Sequence, residues 1–252
     1  EKETCSINSS LASKSHGTSV ASILVSRNYG VAPDATLLTY LTGSRQDGDQ
    51  PSSDCFDDTK HIKYGYAWLL NSAMNDGAQI INLSSSSTSQ ENELKWAIAR
   101  SMAQGIIITA SAGNEATDGN TTSLSQWSGV VGVSAIGIDD SRQDYSSWGQ
   151  GVTTAAVGGP LVVHDYSSGQ VRQVSGTSVS APIVAGTLAL ARQKWPNATS
   201  NQLLQLLVKT GLNPDHGWNQ YMGYGAIDPA AIVNTDPTQF PDENPLADKG
   251  GG

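Results

Sequence analysis

Basic residues are scarce in this sequence, and charge of either sign is limited. Lys and Arg number 14 against 23 Asp and Glu, which gives a net charge of −9, and only 15% of the residues are charged. Nucleic acids and anionic membranes attract proteins through positive charge, so this balance argues against both as partners. No apolar run approaches the roughly 20 residues that a membrane-spanning helix needs.

Two further deficits restrict the chemistry. The two cysteines, Cys5 and Cys55, lie in no motif for nucleophilic or metal chemistry. The carboxylates are scattered and lack the spacing of a calcium-binding loop, so we predict no metal site and no cofactor. Glycine, by contrast, is plentiful at 26 residues, and the length of 252 residues suits one large domain with a buried core.

Ser178 stands where a nucleophile could be activated. It lies between a short loop and an apolar segment, 179–191, that predicts a buried helix. Pro182 should then occupy the first turn of that helix, where its missing N–H is no loss. A serine at a helix start has free N–H groups and the positive end of the helix dipole beside it, and both favour a developing oxyanion. A simple N-cap serine would have the same local sequence, so partners are needed to decide.

Two other segments contain such partners. His16 stands at the start of an apolar, small-residue segment that predicts a helix running to about residue 25. A β-branched run at 106–110 predicts a buried parallel strand, and Asn114 follows it closely. A histidine can accept the proton of a serine hydroxyl, and an asparagine amide can donate to an oxyanion. Taken singly, the histidine would more often be a surface residue and the asparagine a turn residue.

In combination, the three segments closely resemble the subtilisin-like serine proteases, or subtilases. The matching motifs are His-Gly-Thr from His16, Ala-Gly-Asn ending at Asn114, and Gly-Thr-Ser-x-x-Ala-Pro around Ser178, in the family's order. The resemblance covers about residues 14–233 and implies that Ser178 is the nucleophile, His16 the general base and Asn114 the oxyanion donor. It implies a serine endopeptidase that cleaves a protein or peptide substrate through an acyl-enzyme on Ser178.

One member of the family's catalytic set has no counterpart here. Subtilases carry an aspartate after the first core strand, well upstream of the histidine, but none of the fifteen residues before His16 is an aspartate. The chain could be truncated, the missing segment could be a separate piece, or the protein could be an inactive binding or scaffolding module. We expect truncation, because the sequence starts in mid-loop without a first strand. Without the acid that orients the imidazole, the chain as printed should be nearly inactive.

The order of the predicted elements indicates an α/β fold. Helices are predicted at 59–74, 91–103, 179–195 and 200–209, strands at 78–83, 105–110, 130–136 and 152–157, and a hairpin at 161–174. This alternation predicts a mostly parallel central sheet with helices on both faces, the three-layer subtilisin-like fold, here without its first strand. The catalytic domain should span 1–233. Residues 234–252 are rich in proline and lack periodicity, so they should form a flexible tail or linker.

The resemblance also locates the substrate. An extended peptide should lie between residues 82–86 and the segment near 43–48 and pair with both. The primary pocket should be walled by small, uncharged residues from two segments: Ser84, Ser85, Ser86, Ser111, Ala112 and Gly113. Such a pocket should be roomy and should not select a charged side chain.

Location and cross-linking are further implications of the resemblance. We expect a secreted or cell-envelope protein, with room for a propeptide or a membrane anchor outside this chain; in the actinobacterial mycosins, the position of the tail leads to such an anchor. In an exported protein an even pair of cysteines favours a disulfide, and a bond between Cys5 and Cys55 would stabilise the fold by roughly 4 kcal/mol. Two reduced, buried thiols are the alternative.

Overall fold

In a computed structural model of the chain, the described residues are 11–40, 65–85, 87, 89–119, 123–213 and 217–251. Two short antiparallel strands are described by their backbone alone, β1 (Phe56–Asp57) and β2 (Ile62–Lys63). Cys5, Cys55, Ser86 and the predicted peptide-pairing segment near 43–48 lie outside the described residues. The predicted disulfide and the Ser86 part of the predicted pocket therefore stay predictions.

A four-stranded parallel sheet forms the centre of the described chain. Its strands follow one another in the order β3 (Ile80–Leu83), β4 (Ile107–Ser111), β5 (Val130–Ile136) and β6 (Val152–Val157). Every residue of β4 and β5 is buried, and most are β-branched or small, as expected for strands covered on both faces. Leu83 pairs with Ala110, so the carboxyl ends of β3 and β4 lie side by side at one edge of the sheet.

Helices cover both faces of this sheet. On one face lie α2 (Tyr66–Asn75) and α3 (Asn92–Ala103). On the other lie α4 (Thr177–Lys194), α5 (Ser200–Lys209) and α6 (Pro229–Asn234). Ile107 of β4 packs towards α4 and α5, whereas the next residue, Ile108, packs towards α2 and α3. The alternation confirms the predicted three-layer α/β fold. No helix within the described residues has the length and apolar character to span a bilayer.

A further helix, α1 (Leu11–Val25), packs beside α4 and against a hairpin of β7 (Leu161–His164) and β8 (Val171–Val174). Ile23, Val163 and Val179 form the core that these three elements share. The hairpin was predicted at this place in the sequence, and its two strands pair from Leu161 with Val174 to His164 with Val171. The helix predicted to begin at His16 is thus held directly beside the helix that begins at Thr177.

Helices α3 and α4 begin within two residues of the predicted starts, and two other helix starts differ by more. α1 begins at Leu11, so His16 lies in its second turn and not at its start. The residues before His16 include no helix breaker, and this allows the helix to extend by more than one turn towards the N-terminus. α2 begins at Tyr66 and not at residue 59, because residues 62–63 form a strand and Gly65 occupies the N-cap in an extended conformation.

The segment 235–251 packs against the domain, which differs from the predicted flexible tail at 234–252. Leu246 is only 2% exposed and belongs to the core that α4 and α5 share. Gly251 forms a parallel bridge with Trp127, just before β5. The backbone of this segment is irregular, so its sequence shows no hydrophobic periodicity. Periodicity does not reveal single residues, such as Leu246, that fix an irregular segment to the domain.

Lys249 is the second anchor of this segment. Lys249 is half-buried, and its ammonium group donates inward to the carbonyl oxygens of Ser125, at 3.0 Å, and of Val130. Thr153 Oγ1 lies 3.4 Å from the same nitrogen. Val130 and Thr153 stand at the beginnings of β5 and β6, so this anchor lies at the amino-terminal ends of the strands.

Candidate active site

Ser178 is the second residue of α4 and therefore lies at a helix start, as the sequence predicts. Gly176 precedes the helix with a φ of 148°, in the region that favours glycine. A Cβ at Gly176 would lie 3.3 Å from the Ser178 Oγ and 3.2 Å from the Asn114 Nδ2. The hydroxyl and the amide therefore face the same small space, which glycine leaves open.

Asn114 follows β4, and Thr177 fixes the orientation of its amide. The Thr177 backbone N–H and the Thr177 Oγ1 both donate to the Asn114 Oδ1, at 2.8 and 3.0 Å. Thr177 Oγ1 in turn accepts from the Gly113 N–H at 3.1 Å. Because Oδ1 is occupied twice, the Nδ2 group is the half of the amide that is left to face the space beside Ser178. A donor oriented in advance in this way can stabilise an oxyanion without rearrangement.

His16 is half-buried, and its surroundings favour the neutral form of its imidazole. Burial lowers its pKa below the ordinary value, and the positive charge of Arg172 lowers it further. A neutral imidazole can accept a proton, as a general base must. A cleft of about 440 Å³ opens beside it, lined also by Leu11, Ala12, Ser15, Asp165, Ser167 and Arg172. Between described residues, no hydrogen bond joins His16 to Ser178 or to a carboxylate.

Asp165 lines the same cleft, but its carboxylate is engaged elsewhere. It accepts from Ser167 Oγ at 2.6 Å and from Ser168 N and Oγ at 3.0 and 2.8 Å, and these bonds hold its pKa well below the usual range. It also pairs with Arg172 at 3.5 Å. Asp165 therefore stabilises the turn between β7 and β8. Among the described residues, no group of three or more His, Cys, Asp or Glu side chains comes together to hold a metal ion.

A model of the subtilase family matches residues 2–225 of this chain. The chain belongs to the subtilase family. Ser178 and Asn114, the residues that its motifs single out, are the ones that the fold brings together, and His16 lies on the adjacent helix.

Individual relatives agree with this membership. The chain is 31% identical to a thermostable alkaline protease of Halalkalibacterium halodurans, over 77% of this chain and 52% of that protein. It is 30% identical to mycosin-4 of Mycobacterium tuberculosis, over 88% of this chain and 57% of that protein. The structure of MycP1 from the ESX-1 type VII secretion system superposes with a TM-score of 0.76 at 26% identity, covering 92% of this chain and 73% of that one. The chain thus spans little more than half the length of these two curated relatives.

The predicted pocket walls of this subtilase lie at the two neighbouring strand ends. Ser111, Ala112 and Gly113 are buried at the end of β4, and Ser84 and Ser85 are half-buried after β3. Ser85 Oγ shares a hydrogen bond of 2.8 Å with the Tyr66 hydroxyl. Ser84 Oγ donates to the carbonyl oxygen of Ser178 at 2.7 Å, a contact that the sequence did not predict.

Glu115 adds a charge that the sequence-based pocket lacked. Its Oε2 occupies the space that a Cβ at Gly113 would need, and it accepts from Ser147 Oγ at 3.3 Å. The wall formed by 111–113 therefore has a carboxylate beside it, although all of its own residues are uncharged. The sequence did offer one signal: Glu115 directly follows Asn114 and therefore leaves the same strand end.

Proposed function

We propose that this chain is the catalytic domain of a subtilisin-like serine endopeptidase, with Ser178 as nucleophile, His16 as general base and Asn114 as oxyanion donor. The observation that supports it most directly is the space that Ser178 Oγ and Asn114 Nδ2 share above Gly176. A carbonyl carbon within reach of the hydroxyl would place its oxygen within reach of the amide. Nucleophile and oxyanion donor are then preorganised for acyl transfer.

The reaction would use each group in turn. Ser178 Oγ attacks the peptide carbonyl carbon while its proton passes to neutral His16. The tetrahedral oxyanion accepts from Asn114 Nδ2 and lies at the positive end of α4. Protonated His16 then gives its proton to the departing amine, which leaves an acyl-enzyme on Ser178. A water molecule, deprotonated by His16, then attacks the acyl carbon; the bond to Ser178 Oγ breaks, His16 returns the proton to Oγ, and the peptide acid leaves.

The triad acid is the part of this scheme that the described residues do not provide. In subtilisin, removal of the acid alone lowers kcat by about 3 × 10⁴, because the imidazole loses its orientation and its stabilising charge. We expect residues 1–252 alone to be correspondingly slow. A carboxylate supplied to His16 from a preceding segment or a separate piece should restore the rate.

The remaining assignments belong to the same proposal. The substrate is a protein or peptide, and the protein acts outside the cytoplasm, secreted or at the cell envelope. Cys5 and Cys55 form a disulfide there. A propeptide or a membrane anchor would belong to sequence outside 1–252. The proteases and mycosin among the relatives support this placement by analogy.

A fluorophosphonate probe, which reacts with activated serines, tests the proposal on the full-length protein. We expect labelling at Ser178, located by peptide mass spectrometry, and loss of labelling in Ser178→Ala and His16→Ala variants that keep the wild-type circular dichroism. Labelling of another serine, or undiminished labelling without His16, would contradict the assignment.

An inactive binding module is the second candidate, favoured by the absence of a carboxylate bonded to His16 among the described residues. It predicts that the full-length protein folds normally, binds peptides and shows no labelling at Ser178. The probe experiment therefore separates the two functions.

A further inference from the structure

Pro182 lies deeper in α4 than its sequence context predicts, and this affects the nucleophile. It is the sixth residue of the helix, in the second turn and not the first. In an α-helix, each N–H donates to the carbonyl oxygen four residues earlier. Proline has no N–H. The carbonyl that loses its helical partner is that of Ser178 itself.

A side chain from the sheet replaces the missing donor. Ser84, just beyond β3, donates its hydroxyl proton to the Ser178 carbonyl oxygen at 2.7 Å. The Ser84 Oγ accepts in turn from Asn82 Nδ2 at 2.9 Å, and Asn82 Oδ1 accepts from Thr109 Oγ1 at 2.9 Å. Thr109 is fully buried in the middle of β4. Three hydrogen bonds in one direction thus run from the core of the sheet to the main chain of the nucleophile, and each strengthens the next by polarising it.

The same helix start is held from a second side. The Thr177 N–H and Oγ1 donate to Asn114, which leaves the neighbouring strand β4. The first residue of α4 is therefore tied to the end of β4 and the second to the end of β3. None of these bonds belongs to a regular helix, and together they determine where Ser178 Oγ stands relative to Asn114 Nδ2.

We infer that Thr109, Asn82 and Ser84 form a positioning relay for Ser178, and that Pro182 keeps the Ser178 carbonyl free to receive it. The inference rests on the proposed function, because Ser178 must be the nucleophile for its position to matter. The relay residues act through the main chain of Ser178. A misplacement of a reacting group by about 1 Å can lower a rate by about 10²-fold, so the loss of one bond in the relay should be visible in kcat.

Steady-state kinetics of the full-length protein provide the first test. Ser84→Ala should lower kcat by about tenfold and change KM less than twofold, since the bond positions the nucleophile and leaves peptide pairing intact. Ser84→Thr, which keeps the hydroxyl, should retain most of the activity. Thr109→Val should lower kcat less, and adding it to Ser84→Ala should cause no further loss, because Thr109 acts only through Ser84.

Thr187→Val is the matched control. Thr187 is a fully buried hydroxyl of the same helix, and it bonds to the Ile183 carbonyl, away from Ser178. Its removal should leave kcat unchanged. Equal losses in Ser84→Ala and Thr187→Val, or additive losses in the Ser84→Ala/Thr109→Val double variant, would overturn the relay.

Hydrogen exchange supplies a readout that does not need activity. The Thr177 N–H is bonded to Asn114 and the Val179 N–H to the Gly176 carbonyl, so both report opening of the first turn of α4. Ser84→Ala should raise their exchange rates about tenfold, whereas Thr187→Val should not. If the wild-type protein is inactive, the proposed function is contradicted but the relay is not. The exchange rates then show whether the hydrogen bonds of the relay hold the first turn of α4. Unchanged exchange in Ser84→Ala overturns it in either case.

Discussion

Lys249 makes the stability of this domain depend on pH in a way that can be calculated. Burial lowers the pKa of its ammonium group to about 7, from an ordinary value of 10.5. Between these two values the unfolded chain holds the proton and the folded chain has begun to release it, so the free energy of unfolding rises with pH. Below pH 7 the buried charge exerts its full destabilising effect, and above about pH 10.5 the effect is gone.

The size of the effect follows from proton linkage. With folded and unfolded pKa values of about 7 and 10.5, this one group raises the free energy of unfolding by about 2 kcal/mol between pH 7 and pH 9. Lys249→Met keeps the length of the side chain and abolishes the titration. The wild-type protein should therefore gain about 2 kcal/mol more than the variant over this pH interval.

Urea unfolding at pH 7 and pH 9, followed by tryptophan fluorescence, measures this difference directly. Other groups that titrate in the interval are common to both proteins and cancel in the comparison. Lys209→Met, at the exposed end of α5, is the control and should leave the wild-type pH dependence unchanged. The same rise in stability in the wild type and in Lys249→Met would refute the reasoning, because the ammonium group would then be as well solvated in the fold as in the unfolded chain.

Two further predictions concern the site. In the proposed mechanism the Asn114 amide acts only on the oxyanion, so Asn114→Ala should lower kcat by about 10²–10³ with little change in KM; a loss below fivefold would mean that another donor holds the oxyanion. The exposed Glu115 carboxylate beside the pocket wall should attract a basic side chain, so Glu115→Gln should lower cleavage after Lys or Arg relative to cleavage after a neutral residue by about threefold at low salt and by less at high salt. Glu93→Gln, in the first turn of α3, is its control. Peptide-library profiling at two salt concentrations measures the effect, and an unchanged profile in Glu115→Gln would exclude the carboxylate from the pocket.

The parts of the fold that the sequence predicts well are those where burial and local chemistry agree. β5 and β6 have the predicted bounds, because their residues are apolar, β-branched or small and nearly all of them are buried. α5 has the predicted bounds as well, since Thr199 and Gln202 form a reciprocal capping box that fixes its first turn. The neighbouring positions of Ser178 and Asn114 were predictable because parallel strands and the helices that follow them bring their ends to one edge.

The features that the sequence did not predict depend on single contacts across the fold. The sequence around Pro182 does not reveal that Ser84, almost a hundred residues earlier, donates a hydrogen bond to the Ser178 carbonyl that Pro182 leaves without a helical partner. The burial of Leu246 and Lys249 likewise depends on the surface formed by distant elements, which a search for periodicity does not detect. Glu115 was missed for a different reason. It is not one of the residues predicted to form the wall, but its side chain folds back beside Gly113.

The anchoring of Lys249 and Gly251 determines which way the domain faces when it is held through residues near 250. Both lie at the amino-terminal ends of β5 and β6, whereas Ser84 and Asn114 follow the carboxyl ends of β3 and β4. A bead, a sensor chip or a fused protein coupled through residues near 250 would therefore contact the edge of the sheet opposite to Ser84 and Asn114. Substrate as large as a folded protein should reach Ser178 as freely on such a support as in solution, whereas coupling through exposed lysines would orient the molecules at random.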